Sequence, residues 1–236
     1  GAISSVQWEA EVTTSEAMKT AIEGLSKCQG RSDGCMVLTI SQQCSVEEAF
    51  ALALFGKRVF KTEMIFSAPR KPGRADAMLR CADANPNAAG VKAAIESLSM
   101  KVGYHMDIGR ALGAARGVMI VGTEFERPEL PPELRFELSL AFNPLHDDLT
   151  GSGILLPIPT HYEKRGTYVN IDGRYQAASK VIEPPKGVRN LHVYLALLAR
   201  SLGVDLGYSD FDELRRMAFA TIGVEPPPFH PPVAAR

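Results

Sequence analysis

Histidine titrates near neutral pH, so the histidines are the residues through which this sequence could most readily bind a metal or move a proton. No two of the five lie within four residues of each other, so no pair could face a metal from one helix. Two local clusters, His146-Asp147-Asp148 and His161 with Glu163, could each join a metal or acid–base site built from distant parts of the chain. We predict that both are solvated loops. The five histidines are His105, His146, His161, His192 and His230.

The cysteines and the common catalytic motifs give no stronger indication of chemistry. The cysteine spacing matches neither a Cys-x-x-Cys pair nor an iron–sulfur run. We predict thiols in a reducing compartment, with a ligand set or a redox pair as the alternative. The sequence contains no G-x-S-x-G, H-E-x-x-H, S-x-x-K, G-x-G-x-x-G or P-loop pattern. The residues alone therefore assign no catalytic, cofactor-binding or metal-binding side chain. The cysteines are Cys28, Cys35, Cys44 and Cys81.

Composition excludes several classes of protein. The 236 residues are 45% hydrophobic and 22% charged, which excludes disorder of the whole chain. The net charge is −1, so there is no electrostatic reason to expect nucleic acid or an anionic membrane as the partner. No apolar run approaches the roughly 20 residues that a membrane helix needs, and we expect no membrane insertion and no signal peptide. Because residue 1 is Gly, we expect an excised domain, a tagged chain or a processed product.

A basic stretch between residues 67 and 86 could bind an anion. We predict a solvated loop instead, because no glycine-rich phosphate turn accompanies the cations. They are Arg70, Lys71, Arg74 and Arg80.

Apolar periodicity and capping residues predict alternating helices and strands. Capping boxes at Thr13 with Glu16 and at Ser45 with Glu48 predict two helix starts, and Gly56 is expected to end the second helix as a left-handed cap. The predicted helices are 13–27, 45–56, 88–100 after Asn87, a short one from Asp107 to Ala115, 190–202, and a last one, capped by Ser209 with Asp212, to Ala220. The predicted strands are 36–40, 58–66, 117–121, 138–142 and 154–158, with Pro157 at a strand end or an edge.

Near the C-terminus, segments 167–170 and 174–176 flank Asp172-Gly173, which predicts a β-hairpin. The chain should then be an α/β protein with a largely parallel, Rossmann-like sheet flanked by helices, a C-terminal β-hairpin and two terminal helices. Residues 1–128 would form the sheet region, 129–222 its hairpin and helical continuation, and 223–236 an extended, partly disordered Pro-rich tail. Ligands of such sheets bind beyond the C-terminal ends of strands, which points to the loops after Ile40 and Val121.

One stretch carries a family signature: Ile154-Leu-Leu-Pro157, then Glu163-Lys-Arg-Gly166-Thr-Tyr-Val-Asn170, then Asp172-Gly-Arg-Tyr-Gln176. It resembles the molybdopterin oxidoreductase superfamily, in which a Leu-Pro strand, a glutamate, a Gly-Thr-x-x-Asn strand and a Gly-Arg-x-Gln strand follow one another. The run from Val181 to Gly203 and the helix start Ser45-Val-Glu-Glu48 are similar to the molybdopterin-oxidoreductase-like domain in the large iron–sulfur subunit of NADH-quinone oxidoreductase, respiratory complex I.

The resemblance implies a scaffolding domain of an electron-transfer complex that carries electrons from NADH to a quinone. It implies no redox centre in this chain, iron–sulfur clusters elsewhere in the parent subunit or complex, other subunits of the peripheral arm as partners, and a cytoplasmic location at the inner membrane. The alternative is a fragment of a molybdenum or tungsten pterin oxidoreductase, similar to formate dehydrogenase, that contributes to a pterin pocket. A free-standing nucleotide-binding module is the third interpretation.

The signature also makes sense as a structural latch. Gly166 and Gly173 would allow backbone paths that a Cβ obstructs. Asn170 could bond the backbone across the turn, and Gln176 could satisfy exposed strand groups. Arg174 could tie the hairpin to a carboxylate such as Glu163. We predict this latch in preference to direct ligand contact.

Overall fold

The computed structural model describes residues 5–7, 10–30, 36–68, 73–76, 85–103, 105–122, 134, 136–141 and 153–229. Two sheets and six α-helices lie within these ranges. The strands are β1 (Ser5–Gln7), β2 (Ala10–Val12), β3 (Met36–Ser41), β4 (Met64–Ala68), β5 (Lys101–Gly103), β6 (Gly117–Val121), β7 (Phe136–Ala141), β8 (Ile154–Pro157), β9 (Gly166–Val169) and β10 (Tyr175–Ala178). The helices are α1 (Thr14–Ser26), α2 (Val46–Phe55), α3 (Ala88–Ser97), α4 (His105–Ala114), α5 (Leu191–Ser201) and α6 (Phe211–Ile222).

The main sheet has the strand order β2-β1-β8-β7-β6-β3-β4-β5. Strands β8, β7, β6, β3, β4 and β5 are all parallel, whereas β1 is antiparallel to β8 and β2 is antiparallel to β1. Counted along the chain, the parallel strands have the order 3-2-1-4-5-6 of a Rossmann sheet. This confirms the predicted α/β class and places the topological switch point between β3 and β6.

Helices cover both faces of the sheet, as continuous apolar strands require. Every residue of β3 and β6 is buried. One face packs against α1, α2 and α3, on which α5 and α6 lie in turn, and the other packs against α4 through Ile108 and Leu112. None of the described helices is both long and apolar enough to span a bilayer.

Both predicted capping boxes are present. Glu16 N and Glu48 N donate to the hydroxyls of Thr13 and Ser45, and each glutamate accepts from the backbone of its cap residue. The predicted hairpin is also confirmed: β9 and β10 pair from Val169↔Tyr175 to Gly166↔Ala178.

The prediction for Gly56 was wrong. Its φ is −57°, and the helix continues through a π-helical turn, Gly56–Phe60, that ends at the left-handed Lys61 (φ 59°). The predicted strand 58–66 therefore begins only at Met64. Glycine is needed for a close approach: a Cβ on residue 56 would lie 2.5 Å from Leu38 Cδ1.

Two predicted helix starts were shifted. α4 begins at His105, before Asp107. α6 is capped by Asp210, which accepts from Glu213 N at 2.8 Å, while Ser209 hydrogen-bonds the Glu213 carboxylate. Pro157 is the last residue of β8, as predicted. β8 pairs with β1 only at Ile154 and Leu155, so Pro157 has no partner residue in β1.

Candidate functional site

The hairpin β9–β10 lies against the start of α2, where two adjacent carboxylates are buried. Glu47 is 0% exposed and Glu48 is 4% exposed. They are buried because every residue of α2 is buried, so no face of this helix is left for solvent. A buried carboxylate requires partners, and the hairpin and α6 supply them.

Lys164 pairs with Glu48. Its Nζ donates to both carboxylate oxygens, at 2.7 and 2.8 Å, and both side chains are almost completely buried. Glu48 Oε2 also accepts from Ser45 N at 2.9 Å as part of the capping box. The ion pair thus connects the turn before β9 to the first turn of α2.

Glu47 is held by three donors. Its Oε2 accepts from Thr167 N at 2.8 Å, and its Oε1 accepts from Thr167 Oγ1 at 2.7 Å and from Arg215 Nε at 3.3 Å. This carboxylate therefore joins α2, the hairpin and α6. With three protein donors on its two oxygens, it is poorly placed to accept a proton from a substrate.

Asn87 completes the contact between the hairpin and the helices. It precedes α3 but makes no side-chain cap hydrogen bond there. Its Nδ2 donates to Cys44 O and its Oδ1 accepts from Val169 N, each at 2.7 Å. The side chain is 0% exposed, so both hydrogen bonds lie in the core.

A cavity of about 530 Å³ opens beside this network. Glu48, Lys164 and His192 line its interior together with Phe211 and Leu214, and its volume is in the range of small-ligand pockets. Its full lining is Glu47, Glu48, Glu163, Lys164, Arg165, Ser179, Lys180, Glu183, Pro184, Asn190, His192, Phe211 and Leu214.

His192 is the group in this cavity with a perturbed titration. Burial lowers its pKa below the ordinary 6.5, and the nearby cations Arg165 and Lys164 act in the same direction. The carboxylates of Glu48 and Asp210 oppose the shift. The imidazole is therefore held neutral at physiological pH.

In a sheet of this strand order, ligands bind beyond the C-terminal ends of the strands at the switch point, here β3 and β6. The start of α2, which follows β3, does not fit the phosphates of a dinucleotide. The amides of Gln43, Cys44 and Ser45 already donate to Ser41 Oγ, Ser41 O and Glu48 Oε2, so they are not free to donate to a phosphate. The segments 123–133 and 142–152, which follow β6 and β7, lie outside the described residues.

Of the residues singled out by type, Glu163 and His192 line the cavity, and the others are not brought together with them. His146, Asp147, Asp148, Cys35, Cys81, Arg70, Lys71 and Arg80 lie outside the described residues, and Arg74 is exposed. His161 is exposed and its ring lies 4.0 Å from that of Tyr162. Cys28 and Cys44 are buried thiols. Within the described part of the chain, no three His, Cys, Asp or Glu side chains are grouped to hold a metal.

The latch is present, but several of its bonds differ from those expected. Asn170 Oδ1 accepts from Asp172 N and Arg174 N, as predicted, and Gly173 has the expected positive φ of 77°. Gly166 instead permits a close approach, because a Cβ there would lie 2.7 Å from Ser45 Cβ. Arg174 is exposed, and Glu163 accepts from Thr160 N.

Sequence reasoning did not bring Glu47, Asn87, Lys164 and Arg215 together in one network, and it did not place His192 beside that network. A signal was available for the glutamates: all other positions of α2 are apolar, so carboxylates on this helix had to be buried with it. No local pattern identifies Lys164 or Arg215 as the partners.

A comparison with family models gives one match: residues 144–199 match the molybdopterin oxidoreductase family. The match includes β8, the hairpin and most of α5. It supports the superfamily part of the resemblance, and nothing in it is specific to respiratory complex I. No curated protein matches the chain.

Proposed function

We propose that this chain is a scaffolding domain of the large iron–sulfur subunit of an NADH-quinone oxidoreductase and holds no redox centre of its own. The observation that carries the proposal is the use of the signature residues. Lys164 and Thr167 of the matched stretch bind Glu48 and Glu47 of α2, so these polar groups hold the fold together.

The family match supports a fragment of a pterin oxidoreductase-like protein. The assignment to the complex I subunit depends on the similarity of residues 45–48 and 181–203. On this proposal the iron–sulfur clusters lie elsewhere in the parent subunit or complex. The partners are other subunits of the peripheral arm, at the cytoplasmic face of the inner membrane.

The test is the composition of the complex that contains the chain. A tagged chain produced in its native cells should co-fractionate with NADH dehydrogenase activity after mild detergent extraction. Lys164→Met should reduce that association, because it leaves Glu48 buried without its cation. The matched control is Lys92→Met, whose ion pair with Glu96 is exposed and 3.9 Å long, and it should leave the association unchanged.

Metal and pterin analysis of the purified chain separates this proposal from the alternative. Stoichiometric iron, molybdenum or tungsten would refute a domain without a redox centre. Pterin fluorescence after oxidation would instead support a piece of a molybdenum or tungsten oxidoreductase. One feature favours this alternative: Gln42 Oε1, just after β3, is buried with no hydrogen-bond partner among the residues that the structure describes, and it could accept from a ligand N–H.

A further inference from the structure

The segment that follows α6 is bound by three side chains of the folded body. Residues 225–229, Glu-Pro-Pro-Pro-Phe, form neither helix nor strand. The ring centroid of Phe229 lies 4.4 Å from Arg215 Cζ and 5.4 Å from Arg165 Cζ. It also lies 6.1 Å from the ring centroid of Phe211. The two arginines and Phe211 thus enclose one aromatic ring, and we call them the arginine–aromatic surface.

Carboxylates outside the segment position both arginines of this surface. Arg215 Nε lies 3.3 Å from Oε1 of Glu47, whose side chain is completely buried. Arg165 Nη2 lies 3.3 Å from Asp212 Oδ1. The rest of the fold therefore supports the arrangement of the surface. A surface that is arranged beforehand loses less conformational freedom when it binds a ligand.

The segment itself is held by few groups. Pro227 and Phe229 are half-buried, and the other three residues of the segment are exposed. Its one hydrogen bond within the described part of the chain is donated by Arg215 Nη2 to Pro227 O. Because the contacts are few, another segment with the same groups could take its place.

We propose that the arginine–aromatic surface is a docking site for a proline-rich segment of a partner protein that ends in an aromatic residue, and that residues 225–229 close this site until the partner's segment replaces them. The seated segment defines the chemistry of the occupant. An aromatic ring is required because it faces two guanidinium groups. Consecutive prolines favour the polyproline II conformation, whose carbonyls have no internal donor and are free to accept from Arg215.

A second copy of this chain is a poorer occupant than a different protein. The segment of a second copy has the same residues as the chain's own, so it brings no additional contact. The chain's own segment is joined to α6 through only Gly223 and Val224, which gives it an effective concentration on the order of millimolar at the surface. A different protein can add contacts beside the segment and so displace it. The inference does not depend on the proposed function, because it concerns how a partner binds and not which assembly supplies it.

The test is an NMR titration of the full chain with a capped synthetic peptide, Glu-Pro-Pro-Pro-Phe. In Phe229→Ala the chain's own ring no longer competes, so the peptide should bind and shift the guanidinium signals of Arg165 and Arg215. Binding to the unsubstituted chain should be weaker by about threefold or more, because the tethered segment occupies the site. A peptide that ends in leucine should bind Phe229→Ala about fivefold more weakly, since it makes no cation–π contact.

Loss of one arginine tests whether the peptide binds at this surface. Added to Phe229→Ala, Arg165→Met should weaken peptide binding about two- to fivefold, because one cation–π contact is removed. The matched control is Arg216→Met, whose exposed ion pair with Glu213 is 3.9 Å long, and it should leave the affinity unchanged. Comparison of the two peptides on the unsubstituted chain needs no variant and should give the same order of affinities.

Four results would overturn the inference. Equal affinities of the two peptides for Phe229→Ala would remove the requirement for an aromatic ring. Equal affinities of Phe229→Ala and the unsubstituted chain would show that residues 225–229 do not close the site. No binding at millimolar peptide, or shifts confined to other residues, would show that the surface is not the docking site. A concentration-dependent dimer that is lost in Phe229→Ala would identify a second copy as the occupant.

Discussion

Lys164 Nζ lies 2.7 and 2.8 Å from the two carboxylate oxygens of Glu48, although 116 positions separate the residues in the sequence. The pair is almost completely buried, in contrast to the exposed pairs on α3 and α6. A buried charge that loses its partner costs far more than an exposed one. A substitution that breaks this ion pair, between the turn before β9 and α2, should therefore lower the stability of the fold more than one that breaks an exposed pair.

Removing only one member of this pair should strongly destabilise the fold. We expect Lys164→Met to lower the free energy of unfolding by about 3–5 kcal/mol, because Glu48 would remain buried and uncompensated. The double variant Lys164→Met with Glu48→Gln should recover part of the loss. Urea unfolding of the two single variants and the double variant gives the coupling free energy. Additive effects of the two changes would show that the pair is not coupled.

Two helical glycines should respond to alanine in opposite directions. A Cβ on Gly90 of α3 would lie 2.1 Å from Asn87 Oδ1 and 2.9 Å from Val46 Cγ2, whereas a Cβ on Gly109 of α4 meets nothing within 4 Å. We expect Gly90→Ala to destabilise the protein by about 1–3 kcal/mol. Gly109→Ala should stabilise it by about 0.5–1 kcal/mol through helix propensity. Thermal unfolding of both variants checks the pair, and equal shifts would contradict the packing argument.

Stability should fall on acidification because of His192. Burial lowers the pKa of His192 below 6.5, so the unfolded chain takes up a proton at higher pH than the folded one. The contribution is fully present above about pH 6.5 and is lost as the pH falls from there toward the folded-state pKa. His192→Gln should remove this dependence. Urea unfolding between pH 7.5 and pH 5.5 tests it, and parallel curves for the two proteins would exclude His192 as the cause.

The substitution Phe229→Ala should release the Pro-rich segment after α6 from the two arginines that hold it. The Phe229 ring lies 4.4 Å from Arg215 Cζ and 5.4 Å from Arg165 Cζ, and Arg215 also donates to Pro227 O. We expect Phe229→Ala to cost about 1–2 kcal/mol, from two cation–π contacts. Urea unfolding of the Phe229→Ala variant measures this loss, and an unchanged free energy of unfolding would contradict the anchoring. Val224→Ala, at an exposed position, is the control and should change the free energy of unfolding by less than about 0.5 kcal/mol.

The described part of the Pro-rich tail has partners. The composition of residues 223–236 predicts an extended, partly disordered end, and the structure describes residues 223–229 of it. Within that part, carbonyl and aromatic groups of the segment bind side chains of α6 and of the residue before β9. Proline content shows that a segment cannot be helical, and it gives no information on which surface the segment contacts.

The alternating elements, both capping boxes, the parallel sheet and the hairpin could be predicted because their causes are local. A hydroxyl three residues before a glutamate caps its own helix, and Gly173 adopts the positive φ that the hairpin turn needs. Continuous apolar runs at β3 and β6 predict strands covered on both faces.

The tertiary structure alone decided which groups satisfy the buried charges. Asn87 occupies the position from which a residue would cap α3, yet its side-chain amide bonds Cys44 and Val169 instead. Val169 lies 82 positions away from Asn87 in the sequence. In the sequence, Glu47 and Glu48 look like the acidic residues of an ordinary first helical turn. In the structure the whole of α2 is buried, so neither carboxylate is solvated. A buried polar group must be paired, and the topology, which brings the hairpin and α6 onto the start of α2, determines its partner.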